Sequence, residues 1–120
     1  MTKTNYKQID QILFPWAERH TLYVSKKYKD EEVRSIQIVN KFADVYMMFV
    51  TPATGDEEKK IIVGADLLEV GGQKHTFPRQ RKDFHFKETV DLAGLEALLD
   101  RALLLTGEWA TEIPRHHPKS

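Results

Sequence analysis

Lys60-Ile61-Ile62-Val63-Gly64-Ala65-Asp66-Leu67-Leu68-Glu69-Val70, followed by Gly71-Gly72, is the stretch that decides the fold. Ile61, Val63, Ala65 and Leu67 recur at every second position. Successive side chains on a strand point to opposite faces, so these four share one side. Gly71-Gly72 stands where a tight reversal needs positive φ, which glycine accepts without a steric penalty. A strand that reverses through two residues returns antiparallel. Upstream, Val45–Thr51 is apolar at both parities and is predicted as a central strand covered on both sides. The loop Pro52-Ala53-Thr54-Gly55-Asp56-Glu57-Glu58 separates it from the strand at Lys60. Farther upstream, Leu22–Tyr28 and Val33–Val39 flank a polar turn at Lys29-Asp30-Glu31-Glu32, with Ile36 and Ile38 on one face. Asn40–Asp44 forms the next turn. Downstream, Gln73–Lys82 reads as a loop or frayed edge strand, and Asp83–Thr89 as a strand with Phe84 and Phe86 inward.

Helical spacing marks both ends of the chain. Tyr6, Ile9, Ile12, Leu13 and Trp16 recur on one side of a helix opened by Asn5, with Gln8 at capping-box distance. Pro15 lacks an N–H and clashes with the turn before it, so this helix should stop or kink near Leu13–Phe14. Asp91 is a good N-cap for a closing helix whose stripe is Leu92, Leu95, Leu98, Leu99, Ala102, Leu103 and Thr106. Gly107 suits its C-terminus, and Gly94 weakens its first turn. Trp109 and Ile113 offer apolar docking groups beyond it. The expected fold is α+β: an antiparallel meander of four to five strands flanked by an N-terminal and a C-terminal helix, a two-layer sandwich. Residues 1–113 should form one domain and 114–120 a flexible tail. The periodicities predict a core of Leu95, Leu98, Leu99, Leu103, Val45, Met47, Phe49, Ile61 and Val63.

Composition narrows the chemistry. The 120 residues carry 18 Lys plus Arg and 18 Asp plus Glu, so no net charge draws the whole molecule to a polyanion. There is no cysteine, which excludes disulfides, thiolate nucleophiles and cysteine-based metal centres. The longest apolar run, Val45–Val50, falls far short of the ~20 residues that span a bilayer, and the polar N-terminus does not read as a signal peptide. A cytoplasmic chain with no membrane contact is expected.

No motif supplies catalysis. A phosphate-binding G-x-x-x-x-G-K-[ST] is absent, and Gly64-Ala65-Asp66 lies inside a strand rather than at a strand-to-helix junction. Ser25, Ser35 and Ser120 lack a nucleophile elbow. Glu31-Glu32 and Glu57-Glu58 fall in turns, without the burial that shifts a carboxyl group's pKa. Asp83 and His85 share a face and could reach one cation, but the alternation through Lys87 explains them as solvated strand positions. His116-His117 would point apart on any regular element. No metal, cofactor or catalytic residue is assigned, and the chain reads as a non-enzyme.

Charge is segregated along the chain. Between Lys74 and Lys87, the bases Lys74, Arg79, Arg81, Lys82 and Lys87 face the single acid Asp83, a net of +4. From Asp30 to Glu58, the acids Asp30, Glu31, Glu32, Asp44, Asp56, Glu57 and Glu58 outweigh Arg34 and Lys41, a net of −5. Opposed patches steer charged partners even where net charge is zero. The candidate partner-binding residues are therefore Asp30, Glu31, Glu32, Asp56, Glu57, Glu58, Arg79, Arg81, Lys82 and His85.

The Leu22–Val39 hairpin with Lys29-Asp30-Glu31-Glu32 at its tip, and the closing helix Asp91–Thr106 followed by Trp109, together resemble small immunity proteins. These are the neutralising halves of bacterial toxin–immunity pairs, including contact-dependent growth inhibition systems. The resemblance implies a non-enzymatic protein-binding module that binds and neutralises a cognate toxin domain. It assigns no individual residue. A ligand- or nucleic-acid-binding domain built on the basic Lys74–Lys87 segment, with Phe77, Phe84 and Phe86 interleaved, stays open as the alternative. The neutral balance speaks against nucleic acid as a partner.

Overall fold

The computed structural model describes residues 6–28, 31–53, 60–71, 73–74 and 84–112. Along them run α1 (Tyr6–Arg19), β1 (Val24–Tyr28), β2 (Glu31–Val39), β3 (Val45–Pro52), β4 (Lys60–Val70), β5 (Gln73–Lys74) and β6 (His85–Asp91). A 3-10 turn (Leu92–Gly94) then leads into α2 (Leu95–Glu112).

The strands make one antiparallel sheet in the order β1-β2-β3-β4. Both β5 and β6 lie on the far side of β4, β6 along Lys60–Asp66 and β5 along Glu69–Val70. Val70 pairs with Gln73 across the glycine turn, where Gly71 has φ of 59°. The strand Lys60–Val70 therefore stands as its alternation predicts, with Ile61, Val63, Ala65 and Leu67 all buried.

Register sets the inner face. Ile36, Met48, Ala65 and Phe86 lie opposite one another across β2, β3, β4 and β6, and all four are buried. Both helices pack on this side: Ile9, Leu13 and Trp16 of α1 and Leu95, Leu98, Leu99 and Trp109 of α2 join one apolar cluster with it. The Nε1–H of Trp16 donates to Asp100 Oδ1 at 2.8 Å, and Arg19 meets Glu96 at 3.3 Å, which ties the helices side by side. The result is an α+β fold of two layers, sheet below and helices above.

Several expectations need correction. In β3 the core residues are Tyr46, Met48 and Val50 rather than Val45, Met47 and Phe49, which lie on the opposite face. The strand is apolar at both parities, so only its partners decide which side meets the helices. Leu103 is half-buried at the margin of the core. The helix does not stop before Pro15; α1 runs through it to Arg19. Burial of Trp16 and Ala17 and the Trp16–Asp100 hydrogen bond hold the last turn, and the helix closes at Thr21, whose φ is 56°. At the other end Asp91 caps the 3-10 turn by accepting from the Gly94 N–H at 3.0 Å. Gly107 does not end α2, because buried Thr106 and Trp109 carry the helix on to Glu112. Gly94 is required rather than merely tolerated, since a Cβ there would stand 2.6 Å from Val90 Cγ2. The last strand is His85–Asp91, two residues later than predicted, with Phe84 in the turn before it. Glu31 and Glu32 belong to β2, not to the turn. The Asn5 cap, most of the Gln73–Lys82 segment, Ile113 and the 114–120 tail lie outside the described residues.

Candidate functional site

Among the described residues both helices lie on one side of the sheet, so the opposite face is the broadest surface that no helix covers. Register arranges it in rows. Thr51, Ile62 and Thr89 form one; Ser35, Phe49, Gly64 and Lys87 the next; Gln37, Met47, Asp66 and His85 the third. Its middle is apolar: Met47 and Val45 are buried and Phe49 is half-buried. Its margins are polar and exposed, with Gln37 on β2 and His85, Lys87 and Thr89 on β6. The apolar strip reaches the surface at one end, where Val39, opposite Val45, is 57% exposed and Phe42 is 43% exposed.

That end is held rigidly. Asn40 Oδ1 accepts from the N–H groups of Phe42 and Asp44, at 2.9 and 3.0 Å. Asp44 is fully buried, accepts from Asn40 Nδ2 at 2.9 Å, and accepts the Gly71 N–H at 3.0 Å. The β2–β3 turn is thereby fastened to the β4–β5 turn. Ala43 adopts a φ of 62°, a left-handed conformation that an alanine keeps only when its surroundings impose it.

On β4 and β6 the pair Asp66–His85 crosses the ladder, the Nδ1–H of His85 donating to Asp66 Oδ1. A carboxylate orienting an imidazole is half of an acid–base relay. Ser35 and its cross-strand partner Ser25 share this face but sit two and three strands along from Asp66, out of its reach. Among the described residues no three histidine, aspartate or glutamate side chains gather as a metal site requires.

A second polar cluster lies beneath α1. Arg34 is 5% exposed and binds Asp10 with two nitrogens, Nε at 2.8 Å and Nη2 at 3.1 Å. Its guanidinium stacks 4.1 Å from the centre of the Tyr6 ring, and Nη1 lies 4.0 Å from Glu32 Oε2. The Tyr6 O–H donates to the Glu32 carbonyl at 2.9 Å, so Thr51 Oγ1, also at 2.9 Å, donates to Tyr6. The Asp10 hydrogen bonds, against the opposing effect of burial, hold the Arg34 pKa above its ordinary value. Arg34 is thus a fixed cation that fastens α1 to β2.

Of the residues singled out by charge, Glu32 is exposed on β2 and His85 is exposed on β6. Two strands, β3 and β4, lie between them, and the sheet places them on opposite faces, Glu32 at the parity of Arg34 and His85 at that of Lys87. Glu31 pairs with Tyr28 in the backbone ladder. Asp30, Asp56, Glu57, Glu58, Arg79, Arg81 and Lys82 lie outside the described residues. Sequence reasoning missed Arg34, Asp44 and Asp66. Arg34 stands at the inward parity of Ile36 and Ile38, which was the available signal. For Asp44 and Asp66 the signal exists only once the turns and strands are in register.

The chain matches no protein-family model, no curated protein and no solved structure. Among the described residues no helix is long and apolar enough to cross a membrane.

Proposed function

We propose that this chain is a non-enzymatic protein-binding module, and more specifically an immunity protein that binds and neutralises a cognate toxin domain in the cytoplasm. The observation that carries the reading is the sheet face that no helix among the described residues covers, with a polar margin and a rigid exposed tip at Val39 and Phe42. Exposed apolar groups such as Val39 and Phe42, bordered by polar ones, are the anatomy of a protein interface. Exposed aromatic and branched side chains on a fixed turn bind with little loss of conformational entropy. The immunity assignment rests on the resemblance of the β1–β2 hairpin and the closing helix, and the charge segregation adds a means of steering.

The experiment is a binding measurement between the full chain and the product of the adjacent gene, run with wild type and with Val39→Asp/Phe42→Asp. The expected result is binding to the wild type and a loss of roughly tenfold or more in the double variant, the size that truncating an interface anchor produces. Circular dichroism of the double variant should match wild type. Equal binding by both proteins overturns the surface. Failure to bind any neighbouring product, with retention of single-stranded nucleic acid instead, overturns the function.

A further inference from the structure

β6 is an edge strand: no described residue pairs with its outer side. The Leu67 N–H donates to the Phe84 carbonyl at 3.2 Å, which fixes which way the backbone groups of the strand point. In an antiparallel ladder both polar groups of a residue face the same neighbour, and successive residues alternate. Phe86, Glu88 and Val90 therefore bond to β4, while His85, Lys87, Thr89 and Asp91 direct their N–H and C=O groups outward. Side chains alternate as well: Phe86 and Val90 belong to the core side, and His85, Lys87 and Thr89 are exposed on the other.

We propose that β6 pairs with β6 of a second copy about a two-fold axis at Glu88, joining two sheets into one. This register sets His85 opposite Asp91 of the second copy, Phe86 opposite Val90 and Lys87 opposite Thr89. Every pair keeps core side on core side, an acid meets an imidazole, and no apolar residue meets a charge. The residues whose polar groups point outward fall opposite one another, so about eight main-chain hydrogen bonds form. Moving the axis by one residue to Lys87 keeps the outward groups opposite one another but loses the side-chain match, since it sets Phe86 against Glu88 and lysine against lysine.

The layer above fits the same arrangement. Arg101 of α2 bonds Glu88 at 2.8 Å and lies over Phe86, so the two glutamates at the axis are each neutralised. α1 occupies the other flank of α2, through Asp100 and Glu96, and leaves the Arg101–Leu105 flank over the β6 edge. α2 rests on β4 and β6. With strands ~4.8 Å apart, two such helices meet at about 10 Å, a helix-packing distance. The dimer uses the sheet edge and leaves for a partner the face that no described helix covers.

Thr89 reads the register. Analytical ultracentrifugation of the full chain across a hundredfold concentration range should show the mass rising from 14.0 kDa towards twice that value. Thr89→Lys sets a lysine opposite Lys87 of the second copy, twice per dimer, and should weaken association about fivefold. Thr89→Glu sets a carboxylate there and should tighten it about fivefold. Thr89→Pro removes only an outward N–H, which an edge strand tolerates, and should abolish the dimer while the thermal midpoint of the monomer stays near wild type. A mass of 14.0 kDa at every concentration overturns the proposal. So does a dimer that responds to neither charge variant.

Discussion

The two faces of this sheet are made of similar residues, and among the described residues only one of them meets the helices. Inward, Ile36, Met48, Ala65 and Phe86 meet two helices and vanish from solvent. Outward, Ser35, Phe49, Gly64 and Lys87 occupy the neighbouring row, and no helix among the described residues lies above them. Stability should therefore be concentrated on one face and recognition left to the other, and substitutions test that division.

The largest effect belongs to the helix side. Leu99→Ala removes a fully buried side chain between α2 and the sheet and should cost about 2–5 kcal/mol in urea unfolding. A loss below about 0.5 kcal/mol, the size of an ordinary surface change, would break the comparison outright. Arg34→Ala comes next, at about 3 kcal/mol, because it leaves Asp10 facing the interior without its cation. Arg34→Met, which keeps the volume, should still lose the Asp10 clasp, and the difference between the two variants measures packing against charge. Gly94→Ala should cost about 1–3 kcal/mol by driving a methyl group into Val90, and calorimetry would show it as a lowered midpoint. On the outer side, Val39→Ser should change stability by less than about 0.5 kcal/mol while weakening partner binding, which sharpens the contrast.

Legibility in the sequence follows the same division. β4 was readable because its apolar residues keep to one parity for the whole strand. β3 was not, because Val45 through Val50 is apolar at both parities and nothing local chooses between Met47 and Met48. The choice is made by Ile36, which sits opposite Met48. Pro15 predicts a break by its local chemistry, and the burial of Trp16 and Ala17 outweighs it. The candidate site was less visible still. Asp66 and His85 stand 19 residues apart and meet only through strand register. The acidic tract at Asp56–Glu58 and the basic tract at Arg79–Lys82 remain a reading of charge along the chain.

The Trp16–Asp100 hydrogen bond spans 84 residues and joins the first helix to the last. Closing so long a loop is slow, and its entropy is lost before the contact rewards it. On a ribosome, α1 and the first four strands emerge well before Leu95–Glu112, the segment that completes their apolar layer. The inner face must wait, half-covered, until Leu95–Glu112 has been made. A stop codon anywhere before α2 would leave that apolar layer open and should turn a folded domain into a degradation substrate.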